Sequence, residues 1–495
     1  MSSSTATNPE VGMFFPENFD GDARLMIETA EQFSRNEVLP HAEAIDAQAP
    51  GLMPQLIRKA GDLGLCGIDT AEAYGGLGLS KNLAARMLEF LSLNGSYSVT
   101  YGITSGISQV GLSLFGTEDQ KSRWLPKLAA GEHIGAYCLS EPNSGSDALS
   151  ATTRANPVEG GYRLSGTKMW ISNAQWADVF LVMAKVNGEH FTAFLVPRTA
   201  DGLVVEREEH KMGLKGSSTA RVTLNDVFVP EADVLHEVGK GHQVAFNALN
   251  IGRFKLASMS IGPARYAIEV AAQYAQDRRQ FGQPIANFGL IREKFARMAA
   301  LFFAAESAIY RVGAQIDSAF EEFGGTVEGN RKAAERYAIE CALVKVFSTE
   351  AEAEIVDEAV QVYGGYGFTE EFPVARIYRD ARVSRIYEGT NEINRIFIAN
   401  RLAKAGLAAE FPTQTEQGAV ADLAIYQFVE DAVRARAAAY PEYAPLVDAY
   451  RATVAGKRMA AQARIGNAPD VQIPAVDWEA IGAETITRGR PWSVR

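Results

Sequence analysis

The stretch Arg385-Ile386-Tyr387-Glu388-Gly389-Thr390-Asn391-Glu392-Ile393 determines how the second half of this chain is interpreted. A charged helical pattern precedes it and an apolar helical period follows, so it predicts a short loop between two helices. Gly389 allows a sharp turn, and Thr390 is a suitable N-cap for the next helix. The loop therefore presents Glu388 between two rigid elements, a frequent place for a catalytic side chain. For an isolated Glu-Gly pair, a solvated loop glutamate is the commoner interpretation.

Three further motifs precede this stretch along the chain. They are Tyr137-Cys138-Leu139-Ser140-Glu141-Pro142-Asn143-Ser144-Gly145-Ser146-Asp147, Arg278-Arg279-Gln280-Phe281-Gly282 and Gln361-Val362-Tyr363-Gly364-Gly365-Tyr366-Gly367-Phe368. In order, they resemble the flavin and substrate loop, the adenine-side motif and the flavin-contacting glycine turn of acyl-CoA dehydrogenases. The stretch around Glu388 resembles the catalytic-base segment of the same family. The resemblance covers most of residues 20–402 and is strongest to the very-long-chain branch.

The spacing of apolar residues divides the chain into helical and strand-like segments. Apolar residues follow a helical period up to about residue 130, and β-branched and aromatic runs with an Asn187-Gly188 hairpin signal follow. The helical period returns from about residue 240. We therefore predict a mostly α, α+β fold, and the family's architecture has the same order. The predicted segments are a flexible N-terminus (1–20), a helical domain (21–134), an antiparallel β-barrel (135–240), a four-helix bundle with the base (241–402) and a short helical extension (403–495).

Composition narrows the class of protein. The net charge of −12 argues against nucleic-acid binding, which needs a basic face. Three widely spaced cysteines predict a reducing compartment without a disulfide framework. The six histidines have no metal-ligand spacing, so no metal site is expected. The N-terminus has no signal-peptide or transit-peptide pattern, and no apolar run is long enough to span a membrane. A cytoplasmic location is the default expectation.

The family's reaction explains why these residue types are needed. Removing hydrogens from Cα and Cβ of a saturated thioester needs a base for the α-proton and a hydride acceptor for the β-hydrogen. No natural side chain accepts a hydride, so a redox cofactor is required, and the resemblance implies FAD. A carboxylate is an effective base if burial raises its pKa towards neutrality. Glu388 is the predicted base. Some relatives place the base on the helix that carries Gly252, and a glycine at that position leaves Glu388 as the candidate.

The resemblance also assigns the binding residues. Its substrate-binding positions are Ser146, Asn250, Arg253, Tyr387, Glu388 and Gly389. Its cofactor-binding positions are Tyr137, Leu139, Ser140, Gly145, Ser146, Trp170, Ile171, Ser172, Arg278, Phe281, Gln361, Val362, Gly364, Gly365, Thr390 and Glu392. Asn250 stands where an aspartate occurs in the medium-chain pattern. For Trp170 the alternative is a residue of the barrel core.

The acyl chain and the partners complete the expectation. Three small residues, Gly102, Ser105 and Gly106, are predicted at the far end of an apolar acyl tunnel, with simple helix packing as the alternative. In the family, residues like Arg278 and Phe281 reach the FAD of a neighbouring subunit, so a homodimer or homotetramer is expected. The expected substrate is a long straight-chain acyl-CoA in fatty-acid β-oxidation, and the expected electron acceptor is an electron-transfer flavoprotein.

The sequence leaves two alternative functions open, and it leaves open whether the C-terminal extension contacts a membrane. An acyl-CoA oxidase would run the same chemistry with oxygen, and an assembly or scaffold protein would use the same fold without it. In the extension, Arg451, Lys457, Arg458 and Arg464 form a basic run with little apolar area. Such a run permits membrane contact, but packing on the bundle or on a partner subunit is favoured.

Overall fold

The computed structural model describes residues 13–409, 411–468 and 470–492. Most of the predicted flexible segment, residues 1–12, lies outside this range. Its described part is packed rather than loose, because the Phe15 and Phe19 side chains are buried. The N-terminal helical domain follows. Its helices are α1 (Gly21–Phe33), α2 (Ala42–Asp46), α3 (Leu52–Asp62), α4 (Lys81–Leu91), α5 (Gly95–Gly102), α6 (Gln109–Phe115) and α7 (Glu118–Ala129).

The middle of the chain forms one eight-stranded sheet. Its strands are β1 (Gly135–Cys138), β2 (Arg154–Val158), β3 (Gly161–Ser172), β4 (Val179–Val186), β5 (His190–Pro197), β6 (Leu203–Glu208), β7 (Thr219–Pro230) and β8 (Val234–Leu235). The spatial order is β6-β7-β3-β2-β4-β5-β8, with β1 also paired to β4. The predicted hairpin at Asn187-Gly188 joins the antiparallel strands β4 and β5, and both residues have positive φ.

The predicted antiparallel barrel is not what the described strands form. The sheet is mixed, because β1 and β2 both run parallel to β4. Its end strands β6 and β8 are not paired with each other in the described part of the chain, so the sheet is not closed. Alternation along a strand predicts which face is buried, but it carries no information on which strand is the neighbour. The barrel was inferred from that alternation, which is why the prediction missed the parallel pairs.

The C-terminal half begins as a helical bundle. Its elements are α8 (Gly241–Asp277), a hairpin of β9 (Arg279–Gln280) and β10 (Gln283–Pro284), α9 (Gly289–Phe323), α10 (Val327–Arg336), α11 (Ala338–Tyr363), α12 (Pro373–Ala381) and α13 (Asn391–Lys404). Helices α8, α9 and α11 pack against one another around a core of alanine and large apolar side chains. The loop that carries Glu388 connects α12 to α13 and faces α8 and α11.

The extension is integrated into the bundle. It consists of α14 (Gln414–Ala439), α15 (Ala444–Arg464) and α16 (Trp478–Arg488), and all three pack on α9. Arg436 of α14 is fully buried and pairs with Glu306 of α9 at 2.7 Å. In the basic run, Arg451 and Arg458 pair with Glu430, Lys457 with Glu354, and Arg464 lies 3.9 Å from Asp422. These pairs favour packing over membrane contact, and no helix in the described ranges is long and apolar enough to cross a membrane.

Candidate active site

The Glu388 loop has a strained backbone. Thr390 caps α13, since its hydroxyl accepts a hydrogen bond from the Ile393 amide at 3.2 Å, as the sequence predicts. The two residues that precede this cap both lie in the left-handed region, Glu388 at φ +56° and Gly389 at φ +77°. Glycine adopts this conformation freely, whereas a glutamate does so at a cost of about 1–3 kcal/mol. A strained backbone of this kind persists only where the surrounding contacts hold it in place.

Three polar side chains hold this loop in place. The Lys345 ammonium donates to the Gly389 carbonyl at 2.9 Å and to Asn391 Oδ1 at 2.7 Å. The Asn394 amide donates to the same Gly389 carbonyl at 2.8 Å, and Arg253 Nε lies 3.4 Å from the Glu388 carbonyl. All of these contacts go to backbone atoms or to a neighbouring side chain. They offset the strain of the loop without occupying the Glu388 carboxyl group.

The Glu388 residue is half-buried, and one oxygen of its carboxyl group is unpaired in the described part of the chain. Its Oε2 atom has no hydrogen-bond partner among the described residues. Burial raises the pKa of Glu388 to about 7, against the opposing charges of Arg253 and Lys345. Burial likewise lowers the pKa of Lys345 to about 7, and the Glu388 charge opposes that shift. A carboxyl group that titrates near neutral pH and forms no ion pair is well suited to take a proton from a substrate.

Two further elements, α8 and β1, lie near Glu388. On α8, a Cβ built on Gly252 would lie 3.0 Å from Glu388 Oε2, so this glycine leaves room for the carboxyl group. At the end of β1, the Tyr137 hydroxyl is buried without a described partner. Burial and the nearby Glu388 charge raise the pKa of Tyr137 above its ordinary value. The predicted base and the predicted flavin-loop tyrosine therefore lie in one site.

A buried ion pair fixes the loop that follows Tyr137. The Lys168 ammonium on β3 contacts Glu141 at 2.8 Å and donates to the Leu139 carbonyl at 3.2 Å. The Ser140 carbonyl accepts from the Met169 amide at 2.9 Å. The ion pair lowers the pKa of Glu141 to about 2, so the carboxylate stays ionised at neutral pH. The loop is thus attached to β3 through its backbone, and its tip stays exposed at Gly145 and Ser146.

Trp170 is the most unusual residue of this part of the sheet. The indole is 57% exposed, and its backbone is left-handed at φ +56°. The β3–β7 register shifts between Lys168 and Ile171, so Trp170 sits in a β-bulge. Ile171 is buried and Ser172 is half-buried next to it. The alternative of a core tryptophan is wrong, because the indole is exposed and forms an open face beside the predicted flavin loop.

A second group of predicted cofactor residues forms a separate cleft. Four of them, Arg278, Val362, Gly364 and Gly365, line a surface cleft of ≈ 510 Å³ together with Tyr274, which was not predicted. The Arg278 guanidinium lies over the Tyr366 ring, 5.5 Å from its centroid. Two neighbouring predicted residues are also on the surface: Gln361 is exposed on α11, and Phe281 is 93% exposed. None of the Glu388 loop lines this cleft, so one copy of the chain holds the two groups apart.

The remaining predicted residues differ in how deeply they are buried. Asn250 and Arg253 are buried on α8 beneath the base loop, with Arg253 Nη1 donating to Asn250 Oδ1 at 3.1 Å. Glu392 is exposed in the first turn of α13. Tyr387 is half-buried beside the base and lines a narrow cavity on its far side. Arg253 therefore contacts the loop that carries the base, in addition to any contact with substrate.

The small residues predicted at the end of the acyl tunnel have unequal surroundings. A Cβ on Gly102 would lie 2.7 Å from the Met259 methyl group, at the edge of that narrow cavity. A Cβ on Gly106 would instead meet the aliphatic part of Lys255 at 3.7 Å. The Lys255 ammonium donates to the Ser105 carbonyl at 3.2 Å and pairs with Asp69. Gly102 is thus packed against Met259, whereas Gly106 has room for a Cβ beside Lys255, and the acyl-tunnel role of the three residues stays a prediction.

Sequence reasoning missed Lys345. This lysine lies in the first third of α11, between apolar residues, and its side chain is fully buried. A charged residue in the buried stretch of a helix is a sequence signal for an internal partner, since Lys is almost never buried unpaired. The partner itself, the Gly389 carbonyl 44 positions away, depends on the tertiary fold. In the described ranges, no cluster of His, Cys, Asp and Glu has the arrangement of a metal site.

Comparisons with known proteins agree with this geometry. Models of the N-terminal, middle and C-terminal domains of acyl-CoA dehydrogenases match residues 20–132, 136–227 and 239–403. A probable acyl-CoA dehydrogenase of Bacillus subtilis (strain 168) is 47% identical over 406 residues, which cover 81% of this chain and 68% of that protein. The human mitochondrial very long-chain specific acyl-CoA dehydrogenase is 42% identical over 350 residues, covering 68% of this chain and 51% of the relative.

The chain therefore spans about half the length of that human relative. A solved structure shares nearly the whole architecture. The crystal structure of an acyl-CoA dehydrogenase from Bacillus anthracis, complexed with FAD, superposes with a TM-score of 0.88 at 36% identity. The superposition covers 97% of both chains, so it includes the C-terminal extension as well as the three matched domains.

Proposed function

This chain belongs to the acyl-CoA dehydrogenase family, a family of FAD-dependent oxidoreductases, and we propose that it oxidises long straight-chain acyl-CoA to trans-2-enoyl-CoA. In this proposal Glu388 removes the α-proton of the thioester. The observation that carries the proposal is the Glu388 carboxyl group itself: it is held on a strained loop, its Oε2 has no hydrogen-bond partner within the part of the chain that the structure describes, and burial raises its pKa to about 7. A structural carboxylate would be paired, so the unpaired oxygen supports a chemical role.

The residues around the site fit an FAD group. Bound FAD supplies the hydride acceptor that no side chain provides. Trp170 offers an exposed aromatic face, and the half-buried Ser172 offers a hydroxyl donor beside it. A Cβ built on Gly145 meets no atom within 4 Å, so the loop tip is open to close approach by a phosphate. Tyr137, Leu139 and Ser140 would hold the ring through the loop that the Glu141–Lys168 ion pair fixes.

The residues of the base loop have separate roles in this proposal. Lys345 and Arg253 position the loop through the Gly389 and Glu388 carbonyls, and their charges limit the rise in the pKa of Glu388. Without them burial would raise that pKa further, and fewer molecules would carry an ionised base at neutral pH. Gly252 leaves room on α8 for the Glu388 carboxyl group, which a side chain at that position would displace.

The separation of the two groups of cofactor residues supports a homo-oligomer. Arg278 lines a cleft on the surface, and Phe281 next to it is 93% exposed, which is unusual for a phenylalanine side chain. A second copy of the chain would bring this cleft to the adenine side of the cofactor bound by its neighbour. An arginine suits that place, because its guanidinium binds a pyrophosphate in a bidentate manner. The proposed assembly is at least a homodimer, with an electron-transfer flavoprotein as the electron acceptor.

The decisive experiment is an anaerobic titration of the purified flavoprotein with acyl-CoA. The proposal expects the yellow colour to bleach on addition of a long-chain acyl-CoA, with enoyl-CoA as the product. A protein that binds FAD but is not bleached by any acyl-CoA would contradict the proposal and favour a scaffold. Rapid reoxidation by oxygen with peroxide release would favour an oxidase instead.

A further inference from the structure

A row of hydrogen-bonded side chains joins the C-terminal extension to the loop that carries Glu388. The row begins at Asp422 on α14 and ends at the Gly389 carbonyl, one residue after Glu388. Four side chains lie between these two ends: Arg395, Glu350, Asn391 and Lys345. None of the four is among the predicted cofactor-binding or substrate-binding residues, so the row is an addition to the site.

The outer half of the row connects three helices through one arginine. On α13, Arg395 Nε donates to Asp422 Oδ1 at 2.7 Å. The same guanidinium donates to both carboxylate oxygens of Glu350 on α11, at 2.8 and 3.0 Å. The Asp422 side chain is 14% exposed and that of Arg395 is 17% exposed, so water competes little for these bonds. A planar guanidinium that binds one acid at two points and a second acid at its Nε has a fixed orientation.

The inner half of the row fixes the orientation of one amide. Asn391 is buried at the start of α13, and its Nδ2 donates to Glu350 Oε1 and to the Thr349 hydroxyl, at 3.1 Å each. These two acceptors turn Asn391 Oδ1 towards Lys345, whose ammonium donates to it at 2.7 Å. The ammonium also donates to the Gly389 carbonyl at 2.9 Å. Glu350 therefore helps to set the position of the lysine that holds the base loop.

The extension is anchored to the bundle at a second place, which does not involve the base loop. There Arg436 of α14 pairs with Glu306 of α9 and with Glu17 near the N-terminus. Only the row from Asp422 ends at the loop of Glu388. The backbone of Glu388 is left-handed, at φ +56°, and such a backbone persists only where its surroundings support it. The row supplies part of that support from the extension.

We propose that Asp422 is a positioning residue for the base, and that the extension, through Asp422, Arg395 and Glu350, holds the loop that carries Glu388. The inference rests on the proposed role of Glu388, and it gives the extension a function in that same reaction. Without Asp422, Arg395 loses one of its two carboxylate partners and is free to turn away from Glu350. The loop then loses part of its support, so Glu388 spends less time in the geometry that removes a proton.

The test measures flavin reduction by palmitoyl-CoA in the holoenzyme, by anaerobic stopped-flow absorbance. In Asp422→Ala the limiting rate should fall by about 2–5-fold, the lower part of the range for residues coupled through a chain of contacts. The palmitoyl-CoA concentration that gives half the limiting rate should stay near the wild-type value, because Asp422 acts on the loop and not on the substrate. Asp422→Glu keeps the carboxylate and should recover most of the rate. A wild-type limiting rate in Asp422→Ala overturns the inference.

A matched variant separates positioning from anchoring. Arg436→Met removes the other anchor of the extension, so it should lower the temperature of thermal unfolding but keep the limiting rate at a temperature where the protein is folded. A general loosening of the extension would lower the rate in both variants, so equal losses of rate in Arg436→Met and Asp422→Ala overturn the inference. FAD content is measured in each variant, and rates are expressed per bound flavin.

A double-mutant cycle tests the route from Asp422 to the loop. In a Lys345→Met background, Asp422→Ala should cost less than it does in the wild type, because both changes act through the same contact to the loop. Losses that multiply without any interaction overturn the inference. The Glu388→Gln variant distinguishes the two proposals. A severe loss in Glu388→Gln beside a normal rate in Asp422→Ala overturns this inference alone, whereas a near-normal rate in Glu388→Gln overturns the proposed function as well.

Discussion

Glu306 and Glu388 are both removed from solvent at least in part, yet their pKa values shift in opposite directions. Glu306 on α9 is completely buried and contacts three arginines, with Arg86 and Arg436 at 2.7 Å and Arg265 at 3.5 Å. These charges hold the pKa of Glu306 below its ordinary value despite burial. Glu388 is half-buried and has an unpaired oxygen, and burial raises its pKa to about 7.

The difference lies in where the neighbouring cations bind. The arginines around Glu306 contact its carboxylate directly, and Arg436 also ties Glu17 of the N-terminal segment to α14 at 2.5 Å. Around Glu388, Lys345 and Arg253 contact backbone carbonyls instead. The first arrangement joins the extension to the core, and the second fixes a loop while leaving its carboxyl group available. A buried carboxyl is therefore a candidate base only when its own oxygens are free.

The largest expected effect is on the rate when Glu388 is changed. Glu388→Gln keeps the size and the hydrogen-bonding capacity but removes the base, so flavin reduction by acyl-CoA should fall by ~10²–10⁴-fold. FAD content and thermal stability should stay close to those of the wild type. Stopped-flow absorbance measures the rate, with Glu371→Gln, an exposed loop glutamate, as the control. A near-normal rate in Glu388→Gln would exclude Glu388 as the base.

Removal of Arg436, a partner of Glu306, should affect stability instead of rate. Arg436→Met removes one cation from Glu306 and the only close partner of Glu17 on α14, which should lower the free energy of unfolding by about 3 kcal/mol. Arg434→Met, two residues away, removes a half-exposed arginine from Glu430, which keeps Arg451 and Arg458 as partners, and should cost at most about 1 kcal/mol. Chemical denaturation gives both values. Equal losses for the two variants would mean that the Glu306 cluster does not anchor the extension.

Arg278 contacts neither of these glutamates, and its removal should affect cofactor binding rather than the rate or the stability. Arg278→Ala should weaken FAD binding by about 10–100-fold, the scale of a hydrogen bond to a charged group, without unfolding the subunit. Arg279→Ala is the control, because its neighbouring guanidinium donates to the Gly282 carbonyl within the turn. Ultrafiltration with absorbance gives the FAD occupancy, and light scattering gives the oligomer size. Full occupancy in a monomer would contradict the proposed assembly.

The smallest expected effect concerns the pH dependence of the reaction. Lys345→Met removes a charge that lowers the pKa of Glu388, so the pH limb of the rate should move to higher pH. At pH 7 the loss should reach at most about tenfold, the effect of one pKa unit. Lys294→Met, which removes a surface pair with Glu358, should leave the limb unchanged. If Lys345→Met lowers the rate equally at all pH values, Lys345 acts only by holding the loop.

Local signals in the sequence were enough for much of the site. Thr390 was predicted as the cap of α13 from its residue type and position, and the cap is confirmed. The loop position of Glu388 followed from two helical periods that meet at Gly389. The same kind of local signal placed the Asn187-Gly188 turn between β4 and β5. In each case the cause lies within a few residues of the effect.

Features that depend on distant contacts were not predictable. The parallel pairing of β1 and β2 with β4 depends on the crossover of the chain, which leaves no local pattern. The exposure of Trp170 depends on a register shift against β7. The burial of Arg436 depends on acids that lie 130 and 419 positions away. Residue type alone would place an arginine in a helix such as α14 on the surface.

The most direct test of the account is the pH dependence of kcat/KM for flavin reduction by acyl-CoA, because that quantity reports the ionisation of the free enzyme. A base with a raised pKa is ionised and active above that pKa and is protonated below it. We expect kcat/KM to be constant at alkaline pH and to fall about tenfold per pH unit below an apparent pKa near 7, the value expected for Glu388. A profile that stays flat down to pH 5, where an ordinary solvated glutamate is still ionised, would contradict the claim that the unpaired, buried Glu388 is the base.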